Sequence, residues 1–134
     1  MPDNRRSCSR APLKNPARLR FYKRGLWGER LARLFLALKG YSFLEKRFKT
    51  SVGEIDLIMR DGTCLVVVEV KVRATLAQGL EAMTRRNQKR VQNAFLSFLT
   101  RHPQYVLNDV RFDLVVIRPW RFPVHMKNVI CNQR

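Results

Sequence analysis

The chain has 134 residues, 46% of them apolar, and its 27 Lys and Arg against 10 Asp and Glu give a formal net charge of +17. That is enough apolar material for the core of one domain and too much for a disordered basic tail. No apolar run approaches the ~20 residues of a membrane-spanning helix, and no short apolar block follows the basic start as in a secretory signal.

Residues 1–24 carry eight basic side chains, one acid (Asp3) and three prolines. Such a segment cannot bury enough surface to order itself and reads as a flexible basic arm, with an organelle transit peptide as the alternative. Gly25 to Gly40 reads as a helix with Trp27, Leu31, Leu34, Phe35 and Leu38 on its inward stripe and Gly40 as its left-handed stop. Tyr41 to Lys49 reads as a strand, and residues 51–53 as a turn. Glu54 to Arg60 alternates, with Ile55, Leu57 and Met59 on one face and Glu54, Asp56 and Ile58 on the other. Asp61-Gly62-Thr63 signals a hairpin, and the β-branched run Leu65 to Val72 a central strand. Residues 74–83 fit neither period. Thr84 to Arg101 predicts a helix with Val91, Phe95, Phe98 and Leu99 inward, Gln88 continuing that stripe to the core boundary or the edge of a site. Val110 to Ile117 is a last strand, ended by Pro119. Asp113 within it reads as a structural hydrogen-bonding group, and Trp120 and Phe122 as a strap packed on the core, with base stacking as the alternative.

The order α-β-β-β-α-β predicts an α/β fold, a mixed sheet of about four strands flanked by helices. The folded domain spans 25–118, between the arm and a basic tail at 119–134. Three widely spaced cysteines and two histidines show no metal-ligand spacing, which argues against a zinc finger or disulfide scaffold and for a reducing, cytoplasmic setting. A basic domain of this kind points to nucleic acid, with no membrane partner.

Nine acids remain after residue 24, and four of them (Glu54, Asp56, Asp61, Glu69) lie within sixteen positions. Val66, Val68, Val70 and Val72 line one face of the central strand. The other begins as Leu65 and Val67 and turns into Glu69, Lys71 and Arg73, which is not ordinary core design. If the hairpin places Arg60 opposite Leu65, Asp56 falls directly across from Glu69, with Cβ atoms about 5 Å apart. Two carboxylates that close need a cation, and Mg²⁺ (or Mn²⁺) is suited to one or two carboxylates plus waters. Asp56 and Glu69 are thus the expected metal ligands. Lys71 beside them is expected to orient or deprotonate a water and to stabilise charge on a phosphate. Glu54 is a secondary candidate.

Gly28-Glu29, Gly53-Glu54-Ile55-Asp56-Leu57-Ile58 and Val68-Glu69-Val70-Lys71 resemble the signature of the bacterial YraN-like proteins, of the restriction-endonuclease-like, PD-(D/E)xK superfamily. The resemblance runs through Glu81-Ala82-Met83-Thr84 and Arg111-Phe112-Asp113, covering about residues 25–117. Its layout is similar to that of archaeal Holliday-junction resolvases. It implies that Glu29 joins Asp56, Glu69 and Lys71 in the catalytic site, and a resolvase-like enzyme would act as a homodimer. Taken on its own spacing, Glu29 lies roughly opposite the inward stripe, as a first-turn acid favoured by the helix dipole. The chain departs from the family at Phe48, where an Asn is common, and at Asn87, where a Lys is usual.

Arg73, Arg85, Arg86, Gln88, Lys89 and Arg90 are the expected contacts to nucleic acid. The function expected from these observations is a Mg²⁺-dependent nuclease acting on DNA, branched or damaged DNA by analogy. The alternative is a non-catalytic nucleic-acid-binding module on the same fold.

Overall fold

The computed structural model describes the backbone of residues 16–130 and the side chains of 25–130. Cys8 and Cys131 lie outside the described residues, as do the first fifteen positions of the expected arm and the last four of the expected tail.

Helix α1 (Pro16–Leu38) leads into strands β1 (Ser42–Lys49), β2 (Glu54–Asp61) and β3 (Cys64–Val72). A short helix α2 (Leu76–Glu81) and a longer α3 (Arg85–Arg101) then cross to β4 (Asp109–Ile117), and β5 (Val124–Met126) follows. The sheet order is β1-β2-β3-β4-β5, antiparallel except for the parallel β3–β4 pair that the α2–α3 crossover requires. This is the expected mixed sheet of a restriction-endonuclease-like α/β fold, with one strand more than predicted.

Each sheet face carries its own core. Phe95 and Phe98 of α3 pack with Ile55, Ile58, Leu65, Val67 and Phe112. On the opposite face, Ala32 and Leu36 of α1 pack with Leu57, Met59, Val66, Val68 and Val115. Both faces of β3 are therefore covered, as its unbroken apolar run requires. Val91, Phe95 and Phe98 of α3 are buried as its periodicity predicts, Leu99 is half-buried, and Ala94, not expected there, is fully buried. Thr84 caps the helix by accepting from Asn87 N–H, and Gln88 Nε2 donates to Met83 O at 2.9 Å, closing the loop at the core boundary.

The structure departs from the expected elements in three places. First, α1 begins at Pro16, nine residues before Gly25, with proline at a position whose missing N–H is not needed. Second, its buried face is centred on Gly28, Ala32 and Leu36, while Trp27, Leu34 and Leu38 of the expected stripe stay exposed. The cause is Gly28: a Cβ there would stand 2.6 Å from Val72 Cγ2, so the helix approaches β3 through a residue without a side chain. Third, the basic tail enters the fold: β5 pairs with β4, Val129 N–H donates to Phe112 O, and Ile130 is buried.

Asp113, fully buried on β4, anchors that C-terminal segment. It accepts from Arg111 Nε at 2.9 Å and Nη2 at 2.9 Å, from Asn128 N–H at 2.9 Å, and from His125 Nε2 at 2.7 Å. Lys39 Nζ lies 2.9 Å from His125 Nδ1 and can only donate, so Nε2 carries the proton given to Asp113. Burial alone would raise the Asp113 carboxyl, but the bonds from His125, Arg111 and Asn128 outweigh it and hold its pKa below the usual value. A depressed carboxyl contributes stability above the unfolded-state pKa and loses it as pH falls through the folded one. Asp113→Asn, which removes the buried charge paired with Arg111 and leaves that guanidinium only Tyr41 OH and the more distant Asp61, is expected to cost about 3 kcal/mol at pH 7. In urea melts the difference from wild type should shrink below about pH 4; a difference independent of pH would contradict the ionic role.

Candidate active site

The β2–β3 register has Arg60 opposite Leu65 and Leu57 opposite Val68, as the hairpin argument requires; Asp61 also pairs with Cys64, so the turn tightens to Gly62-Thr63. One step further, Asp56 would face Glu69, but the backbone ladder stops short of it. Asp56 Oδ2 instead accepts from Val70 N–H at 2.9 Å, so a carboxylate replaces a main-chain acceptor where the two strands part. The opening so formed is the site.

The expected alternation of β2 breaks at this same residue. Ile55 and Ile58 pack toward α3, whereas Leu57 and Met59 pack toward α1, so the strand turns over at Asp56. Its neighbour on β1 does likewise. Arg47, between the pairs Lys46–Leu57 and Phe48–Ile55, has a φ of 51°, a costly conformation for a residue with a side chain. Its Nε donates to Glu29 Oε2 at 2.7 Å, tying β1 to α1 above the opening.

A cleft of about 280 Å³ results, lined by Gly25 and Glu29 of α1, Glu54 and Asp56 of β2, and Glu69, Lys71 and Arg73 at the end of β3. A second hollow of about 210 Å³ shares Glu29, Glu54 and Asp56 and adds Arg47 and Lys49. All four residues expected for catalysis (Glu29, Asp56, Glu69 and Lys71) therefore line one cleft. Glu29 reaches it because Gly28, and not Trp27, faces the sheet.

Glu69 is 7% exposed, and Lys71 Nζ lies 3.6 Å from its Oε2. Burial pushes the Glu69 carboxyl up to about 8, with the Asp56 charge adding to the shift and Lys71 opposing it. Burial likewise raises Asp56 to about 6, against the Val70 hydrogen bond and Lys71, with Glu29 and Glu54 adding to the rise. The Asp56 charge resists the ionisation of Glu69, and the Lys71 ammonium beside Glu69 opposes both shifts without cancelling either.

Such a pair is suited to a hard divalent cation. Among the described residues no group of three or more His, Cys, Asp or Glu could by itself hold a metal ion. The donor set is therefore not a closed protein cage. It fits Mg²⁺, which keeps waters and takes substrate phosphate beside one or two carboxylates, and does not fit structural zinc.

Of the residues expected to contact nucleic acid, Arg73 lies at the cleft, while Arg85, Arg86 and Lys89 are exposed on the first turns of α3. Arg90 is half-buried, its backbone against Gly53; this packing brings the basic end of α3 to the turn that leads into Glu54. Gln88 is spent on Met83 O and does not line the cleft.

Arg47 was missed as a site residue by reading the sequence alone. The signal was present in the turn at 51–53, which sets Arg47 opposite Asp56 once β1 and β2 are paired as a hairpin.

Residues 28–117 match the uncharacterised protein family UPF0102. The chain belongs to the UPF0102 family. A UPF0102 protein of Bartonella tribocorum is 44% identical over 117 residues, 87% of this chain and 90% of the relative. Those of Chelativorans sp. and Parvibaculum lavamentivorans are each 46% identical, over 84% and 90% of this chain and 91% and 92% of their own. The YraN-like resemblance fits this membership. Among the described residues no helix is long and apolar enough to cross a membrane.

Proposed function

We propose that this UPF0102 protein is a Mg²⁺- or Mn²⁺-dependent nuclease that hydrolyses phosphodiester bonds in DNA, branched or damaged DNA included. The observation that carries this reading is the meeting of Asp56, Glu69 and Lys71 where β2 and β3 part, with two carboxyls whose joint ionisation is opposed until a cation joins them.

Asp56 and Glu69 are the ligands in this reading. The ion, when bound, supplies Lewis-acid polarisation of the phosphodiester and a more acidic bound water. Val70 N–H fixes one oxygen of Asp56, so that carboxylate is oriented before substrate arrives. Lys71, held by Glu69, presents an ammonium that orients the attacking water and stabilises charge building on the phosphate oxygens. Glu29, held by Arg47, borders the same cleft and restricts where a strand can lie. Arg73 at the cleft and the exposed Arg85, Arg86 and Lys89 supply phosphate contacts.

The test is cleavage of labelled linear, flapped and four-way-junction DNA with Mg²⁺ or Mn²⁺. Wild type, Glu69→Ala and Lys71→Ala are purified identically, so that a contaminating nuclease shows in all three. Cutting by wild type is expected to fall at least about a thousandfold in both variants, about 4 kcal/mol of transition-state stabilisation. Absence of cutting, with tight metal-independent DNA binding that survives both substitutions, would overturn the nuclease reading in favour of a binding module.

A further inference from the structure

A third, larger groove of about 680 Å³ opens beside the site. It is walled by Trp27 and Leu31 of α1, by Val72 and Ile117 at the ends of β3 and β4, and by residues 118–123. Val72 also lines the catalytic cleft, so the two spaces share a wall. The expected core strap does not form: Trp120 is fully exposed, Phe122 is 85% exposed and Trp27 53%. Trp120 adopts a φ of 60°, a conformation disfavoured for a bulky residue.

The rim is basic. Arg118 and Arg121 flank the aromatics. Arg118 Nη2 donates to Phe122 O at 3.2 Å, but its Nε is buried and has no hydrogen-bond partner among the described residues. A guanidinium has donors only, so this orphan calls for an acceptor from outside the described residues. Exposed aromatic rings between arginines, next to a phosphodiester site, are the elements of a stacking platform for unpaired bases, with cationic groups placed for the backbone. A second copy of the chain is a poorer occupant, since a twofold contact through this face would set its basic rim against an identical one in a protein of net charge +17.

We infer that the groove formed by Trp27, Trp120, Phe122 and Arg118 binds the unpaired bases of a single-stranded DNA segment, so that the preferred substrate carries a flap, tail or open junction next to the bond cut. The inference rests on the nuclease reading for the identity of the neighbouring site, but binding can be tested without catalysis.

Both tryptophans of the chain line this groove, so its occupancy reports directly in intrinsic fluorescence. The full chain is titrated in EDTA with a twenty-nucleotide oligothymidine and, separately, with a blunt duplex. The single strand is expected to quench the emission. Trp120→Ala and Phe122→Ala, at exposed positions where the fold is not at risk, are each expected to weaken its binding about tenfold, as one lost stacking contact implies, leaving duplex affinity nearly unchanged. Unchanged single-strand affinity in both variants would overturn the inference, whether or not the protein cuts DNA. So would a concentration-dependent dimer in sedimentation that Trp120→Ala abolishes without altering oligothymidine binding. Loss of single-strand binding in the variants, in a protein that shows no cleavage, would keep the groove and remove the nuclease reading.

Discussion

Glu69→Gln is expected to be more stable than wild type at pH 8 and inactive. The Glu69 carboxyl is displaced from an ordinary value of 4.5 to about 8, first by burial and then by Asp56. The folded chain therefore holds a proton there that the unfolded chain has released, and stability falls as pH rises from about 4.5 to 8. The neutral, isosteric amide removes that cost and also relieves Asp56. It gives up the 3.6 Å contact to Lys71, which offsets part of the gain. The net effect expected at pH 8 is about 2 kcal/mol, on the order of 5–10 °C in Tm. The gain should vanish near pH 4.5, where wild-type Glu69 is itself protonated. Mg²⁺ should raise the Tm of wild type but not of the variant, more at pH 8 than at pH 6, because the ion displaces bound protons. Thermal melts of both proteins across pH, with and without Mg²⁺, check all of this. A variant less stable than wild type at pH 8 would mean that the carboxyl is satisfied as it stands, and the case for a cation site would fail with it.

Gly53→Ala is expected to be the most damaging single-methyl change in the chain. A Cβ at this position would stand 1.8 Å from Arg90 O and 2.5 Å from Arg90 C, both main-chain atoms of α3 that no rotamer change can move. The turn itself is closed by Thr50, whose N–H and hydroxyl both donate to Gly53 O at 2.8 Å, so the strand side cannot retreat either. Separation of α3 from β2 is the only relief, at an expected cost of at least about 3 kcal/mol. Gly62→Ala is the control: its φ of 61° carries a strain of about 1 kcal/mol, but nothing stands within 4 Å of the added carbon. Urea denaturation should rank Gly53→Ala far below Gly62→Ala, and equal losses would show that α3 yields easily. The glycine of the Gly53-Glu54-Ile55-Asp56 motif thus serves packing, while the acid three residues later lines the cleft.

The parts of the fold legible in the sequence are those set by short-range alternation. β3 reads correctly because its valines repeat every second residue, and α3 because Val91, Phe95 and Phe98 recur at helical spacing. The Arg60–Leu65 register follows from the hairpin turn, and with it the approach of Asp56 to Glu69. α1 was misread because hydrophobicity ranks Trp27 and Leu34 above Gly28 and Ala32, whereas close packing on Val72 selects the small residues. β5 was not legible because a three-residue edge strand has no period of its own; Asp113 and the β4 edge hold it.

Register and alternation act over neighbouring residues, and they suffice to bring Asp56, Glu69 and Lys71 of two paired strands to one place. Glu29 was expected at the site from the family resemblance and not from its own spacing, and Arg47 from neither, because a pair 18 residues apart meets only once α1 has settled on its glycine face. The exposed aromatic groove is likewise a tertiary outcome. Trp120 and Phe122 are as apolar as any core residue, yet they stand exposed around an open groove walled by Val72, Ile117 and α1, because the local backbone after β4 carries them out of the core.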